Sequence, residues 1–162
     1  MPTLNTENLY TRNYEGQLQF GELSESILID IYKDGRFATE FISRDLEQYF
    51  NGLTYVDQAW FDFTDQEFGQ VEQKQITTAS GFKFCPSFMI GKGRKVDRDL
   101  VATYIKDNAL HYLVVSTIHF PIIHIRLIPG VRLLEIFPQK NCGSASKEIF
   151  ELLDMPYATE PE

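Results

Sequence analysis

Residues 68–77, FGQVEQKQIT, carry a glutamate and a lysine two positions apart, Glu72 and Lys74, within a stretch that reads as a strand. Side chains two apart on a strand point to the same face, so carboxylate and ammonium stand side by side. A further acid, Asp57, lies upstream in LTYVDQAWFDF; both stretches are aromatic and β-branched, and the polar TDQE between them predicts a two-stranded hairpin. A tight turn at Asp65-Gln66 sets Asp57 opposite Lys74 and Ala59 opposite Glu72. Two carboxylates at that range repel, and a bound cation is the simplest way to stabilise them. Oxygen ligands of this kind suit Mg²⁺ or Mn²⁺, with Asp57 and Glu72 as the ligands. A register slipped by one residue puts Asp62 beside Glu72 instead. The Asp57 register is preferred because the slipped one moves Phe61 and Phe63 to the face opposite Glu72.

The elements around the hairpin follow from hydrophobic spacing. In residues 20–33, Leu23, Ile27 and Ile31, with Leu28 beside them, predict an amphipathic helix closed by Gly35. Phe37, Phe41, Leu46 and Phe50 extend a helical region to Asn51-Gly52, and SGFKFCPSFMIGKG reads as loop or edge structure. RKVDRDLVATYIKDNA predicts a second helix with Val96, Leu100, Tyr104 and Ile105 on one side. The continuous apolar run LHYLVVSTIHF predicts a central strand buried on both faces. IIHIRLIPG and VRLLEIFP read as further short strands with a Pro-Gly turn between them, and SASKEIFELLDM as a terminal helix. The first dozen residues read as loose and PYATEPE as a frayed acidic tail. This order predicts an α/β (α+β) fold, a mixed central sheet flanked by helices.

A chain of 162 residues, 43% hydrophobic and 14% aromatic, is long and apolar enough for one folded domain. No apolar run approaches the roughly 18 residues of a membrane span, and MPTLNTENLY lacks the blocks of a secretory leader. Cys85 and Cys142 are far apart without metal-type spacing, which reads as two free buried thiols in a cytoplasmic protein. The net charge of −8 opposes nonspecific nucleic-acid binding. A nucleic-acid binder of this charge must gather its cations locally, and Lys92, Arg94, Lys95 and Arg98 form the candidate cluster at the start of the second helix. The glycines of IGKGRKVD could also offer amides to a phosphate. Asp97 and Asp99 interleave, so the same stretch fits an ordinary solvated helix start. His111, His119 and His124 have no Cys or carboxylate at zinc-ligand spacing, and no nucleophile elbow or Walker loop is present. Trp60 and Tyr55 fit either base stacking or the core.

Taken together, Y-V-Asp57, V-Glu72-Q-Lys74 with fourteen residues between the acids, and the helix GELSES with Glu25 resemble the PD-(D/E)XK nuclease superfamily. The helix and strand of RKVDRDLVATYIKDNALHYLVVST extend the resemblance, which covers about residues 20–118. Val56 stands where that family usually has proline. The resemblance implies a restriction-endonuclease-like αβββαβ core, residues 119–155 being appended to it, and Mg²⁺-dependent cleavage of DNA. It adds the backbone carbonyl of Gln73 to the metal ligands, with Asp62 replacing Asp57 in the slipped register. Lys74 would orient or deprotonate the attacking water, Glu25 would assist, and the enzyme would act as a homodimer. The competing reading is a non-catalytic binding protein on that fold, or an acidic DNA mimic or interaction module, which the charge favours. A mimic should spread carboxylates along one edge, whereas here the hairpin acids alternate with Lys74 and aromatics.

Overall fold

The computed structural model describes residues 1–33, 38–77, 82–138 and 147–157. The chain forms β1 (Tyr10–Asn13), α1 (Glu25–Lys33), α2 (Thr39–Tyr49) and then three strands, β2 (Leu53–Tyr55), β3 (Phe63–Asp65) and β4 (Gly69–Ile76). A 3₁₀ turn (Ser87–Met89) and α3 (Arg98–Asn108) lead to β5 (His111–Ser116) and β6 (Ile122–Pro129), followed by α4 (Gly130–Ile136) and α5 (Lys147–Leu152). The six strands form one mixed sheet in the order β1-β6-β5-β4-β3-β2. Only the β4–β5 pair is parallel. Parallel neighbours need a crossover, and α3 supplies it. Asp97 caps α3 by accepting from Leu100 N at 3.1 Å. Among the described residues, no helix is long and apolar enough to cross a membrane.

Strand alternation sorts the side chains into two layers. Ile76, Tyr112 and Val114 pack with Val101, Ile105 and Leu133 of α3 and α4 on one face. Val71, Leu113 and Val115 pack with Ile42 and Leu46 of α2 on the other. β5 is the buried central strand expected from its apolar run, as its middle place in the sheet requires. On β4 the same alternation sends Glu72 and Lys74 toward the α3 face. Gln73 and Gln75 face α2, where Ser43 Oγ and Thr39 Oγ1 each donate to their amide oxygens at 2.9 Å.

Several sequence expectations are corrected. The two-stranded hairpin is a three-stranded meander. Asp65 Oδ1 accepts from Glu67 N and Phe68 N at 2.9 and 3.0 Å, closing a longer turn that ends at Gly69 with φ +73°. Phe63 therefore pairs with Val71 and Asp65 with Gly69, where the tight turn would have set Phe63 against Phe68. Residues 53–55 form a further strand, and residues 56–62 are a loop. VRLLEIF is the helix α4, because Leu133 is buried while Val131 is exposed. The N-terminus is not loose: Leu4 and Tyr10 are buried and β1 pairs with β6. Arg12 holds that polar edge strand to α2 through two bonds to Asp45, at 3.0 and 2.8 Å, joined by Tyr14 Oη at 2.7 Å. The stripe expected to face the core is exposed, Leu23 by 45% just before α1 and Ile27 and Ile31 by 45 and 38% on it, and Leu28 is the buried residue of α1. Gly35, Phe37, Cys142, Ser144–Ser146 and the last five residues lie outside the described residues; Cys85 is a free, buried thiol.

Gly130 lets α4 close onto the crossover. A Cβ there would lie 2.5 Å from Leu110 O and 2.7 Å from Ile105 Cγ2. Gly130→Ala is expected to lower the unfolding free energy by about 1–3 kcal/mol through overpacking. The midpoint of urea unfolding checks it, and an unchanged midpoint would contradict this close approach.

Candidate functional site

β3 stops pairing with β4 at Phe63, and the residue before it is Asp62. Asp62 N donates to Val71 O at 3.0 Å, and its Oδ2 accepts from Gln73 N at 2.9 Å. This bonding holds the Asp62 carboxylate beside Glu72, whose carboxyl feels its charge. The side chains of Glu72 and Lys74 are 12 and 13% exposed. Lys74 Nζ stands 3.8 Å from Glu72 Oε1 and donates to Cys85 O at 2.9 Å. A buried ammonium is thereby anchored to the loop that precedes α3.

Burial pushes the Glu72 carboxyl up to about 9, which the charge of Lys74 opposes and those of Asp62 and Asp57 reinforce. Desolvation outweighs the lysine, so Glu72 holds a proton at neutral pH. Tyr104 of α3 feels the same carboxyl: burial raises its hydroxyl, Gln70 opposes this, and Glu72 adds to it. Tyr55 is pushed up to about 12, first by burial and then by Glu40, Asp57 and Asp62. Its hydroxyl donates to Glu40 Oε2 at 3.2 Å.

The structure thus brings Asp62, Glu72 and Lys74 together. Asp57 does not lie opposite Lys74. It sits exposed in the β2–β3 loop at φ +48°, its N–H donating to Asp62 O at 3.1 Å, and reaches the group only through its charge. The preferred register fails because the turn is longer than two residues and the chain bends back before residue 62. Glu25 is not gathered in either: its Oε1 accepts from Gly16 N at 2.6 Å, on a helix whose Ile29 and Tyr32 pack against the α2-side layer. Glu40 is the helix glutamate that shares Tyr55 with the acids, a relation no local spacing announces. In the basic cluster, Lys92, Arg94 and Lys95 are exposed. Arg98 instead donates to Leu134 O at 3.2 Å and lies 5.5 Å from the centre of the Phe84 ring. The side chain of Asp97 already occupies the N-terminus of α3. His119 and His124 meet edge to face at 5.5 Å, and burial lowers His124; His111 is elsewhere, against Phe68. Among the described residues, no three or more His, Cys, Asp or Glu side chains gather as a metal-holding group.

Comparison with protein-family models, with curated proteins and with solved structures found no match to this chain.

The raised Glu72 carboxyl sets a pH dependence. Below pH 4.5 folded and unfolded chains both carry the proton; between 4.5 and about 9 only the folded chain keeps it. Its stabilising contribution is therefore lost as pH rises through that window. In metal-free buffer the fall in Tm between pH 5 and 9 is expected to be shallower in Glu72→Gln than in the wild type. Parallel slopes would show that Glu72 is not held protonated.

Proposed function

We propose that this chain is a metal-dependent endonuclease of the PD-(D/E)XK type, cleaving phosphodiester bonds in DNA. The observation that carries the reading is the half-buried Asp62 beside the buried Glu72, with Lys74 next to it on an acid-x-Lys strand. The order α2, β2, β3, β4, α3, β5, with antiparallel, antiparallel and parallel pairings, supports it as the αβββαβ order that the resemblance implies.

A protonated Glu72 beside the Asp62 carboxylate fits a divalent ion, which would replace that proton. Asp62 and Glu72 would hold it, with the Gln73 carbonyl as a further ligand. Mg²⁺ commonly uses one or two carboxylates and leaves its other positions to water and substrate phosphate, so a third acid is not required. When bound, such an ion lowers the pKa of its water and offsets charge on phosphoryl oxygens. The chain's own contribution is positional. Lys74, fixed on Cys85 O, offers a nearly buried positive charge to the attacking water and to the charge that develops on the phosphoryl group. Asp57 keeps a negative charge at the rim. Lys92, Arg94 and Lys95 supply cations to the nucleic-acid backbone, whereas Arg98 holds the fold.

The alternative is a non-catalytic binding module, favoured by the lack of a third metal-holding acid among the described residues and by the charge of −8. Titration calorimetry with Mg²⁺ or Mn²⁺ separates the two, since no heat at millimolar metal supports the binding module. Lys74→Ala and Asp62→Asn are expected to lower cleavage of plasmid DNA at least about a hundredfold with cooperative unfolding retained. Undiminished cleavage by both variants would remove this centre from the chemistry. The proposed homodimer has its apolar surface in the exposed stripe of α1. Ile27→Asp is expected to turn a sedimenting dimer into a monomer, and a wild-type chain that sediments as a monomer would exclude it.

A further inference from the structure

Trp60, the chain's single tryptophan, lies in the β2–β3 loop two residues before Asp62. Its ring lies flat on Tyr104, with centroids 4.1 Å apart and planes 8° from parallel, and Phe88 meets it edge-on at 5.3 Å. Tyr104 is fixed in turn by its hydroxyl, which donates to Gln70 Oε1 on β4 at 2.5 Å. Three rings are thus locked together before any ligand arrives. The outermost, Phe88, is 42% exposed. It sits on the 3₁₀ turn three residues after Cys85, whose carbonyl accepts from Lys74.

The other flank of that turn is basic. Arg94 reaches back to Ser87 O and Ile90 O at 3.4 Å each. Lys83, Arg94 and Lys95 line a cleft of about 280 Å³ beside Met89 and Ile90, with Lys92 exposed in the loop above. An apolar ring held rigid between cations and the Asp62–Glu72 pair matches one ligand chemistry. A nucleotide brings a flat π-face for the ring and a phosphate for the cations. In a duplex the base faces are covered by their neighbours; in an unpaired strand they are open.

We infer that Phe88, backed by Trp60 and Tyr104, is a stacking platform for an unpaired nucleobase whose backbone runs over Lys83, Lys92 and Lys95 toward Asp62 and Glu72. The inference rests on the nuclease reading and narrows its substrate to single-stranded nucleic acid, or to an unpaired strand beside a duplex. Trp60 is a built-in reporter. In EDTA, a thymidine dodecamer is expected to quench its emission saturably, at about a tenth of the concentration that a blunt duplex of equal length requires. Phe88→Ala is expected to weaken binding of the dodecamer about tenfold and Phe88→Tyr to preserve it, which separates loss of the ring from loss of the fold. Equal or stronger quenching by the duplex, or undiminished affinity of Phe88→Ala, overturns the platform. Cleavage of duplex DNA in Mg²⁺ with Trp60 emission unmoved by the single strand overturns the platform and leaves the nuclease. Quenching by the single strand without cleavage of any substrate overturns the nuclease and leaves the platform.

Discussion

Taking the Glu72 carboxyl out of water is the costly act around which this end of the molecule is arranged. A buried carboxylate needs a counter-charge, a proton or a metal. Lys74 alone does not suffice, since at 3.8 Å its attraction is outweighed by desolvation and by two further acids. The proton held by Glu72 closes the gap. Asp62 is in place because its own carboxylate is bonded to Gln73 N, while its carbonyl ties down Val56 and Asp57. One residue therefore fixes the acid pair, the turn carrying Asp57 and the start of the loop carrying Trp60. A change at Asp62 would disturb all three together, whereas a change at Asp57 would alter charge alone.

The period of the strand keeps chemistry and scaffolding apart on β4. Its two polar faces do different work: Gln73 and Gln75 bond to α2, while Glu72 and Lys74 turn to α3. The α3 face is polar at Gln70, Glu72 and Lys74 and becomes apolar farther along the strand, at Ile76. Low dielectric comes from the packed layer and access from the gap in pairing. The parallel β4–β5 ladder beneath, with α3 crossing over it, keeps Tyr104 at the rim of the gap.

How far the sequence disclosed this depended on whether the deciding interaction was local. The run HYLVVS could only be a buried central strand, and Glu72-x-Lys74 put both side chains on one face whatever the register. The register itself rested on the turn. An Asx turn at Asp65 and a left-handed Gly69 lengthened it, and the favoured partner of Glu72 changed from Asp57 to Asp62. The aromatic and β-branched residues of VDQAWFD looked like strand but cap a loop, since Trp60 finds its partner on α3, far along the chain. VRLLEIF is apolar at both the helical and the strand period, so its own pattern could not decide between them. YTRN showed no apolar alternation because β1 is an edge strand, secured by Arg12 and Asp45 across thirty-three residues.

On the proposed reading, the charge of −8 and a phosphate substrate are compatible only through local order. Asp57 is exposed beside the acids, whereas Lys74 is nearly buried and committed to Cys85 O. On the proposed reading the cation must therefore arrive before the phosphate or with it. The proton on Glu72 bears on both. It lessens the repulsion of phosphate, yet it occupies the place a divalent ion needs, so metal loading and proton loss are one event. Rising pH should favour the loaded site and weaken the metal-free fold over the same interval. On that reading the buried acid is a source of instability when no ion is bound, which would suit a site for a charged ligand rather than one kept for the stability of the chain.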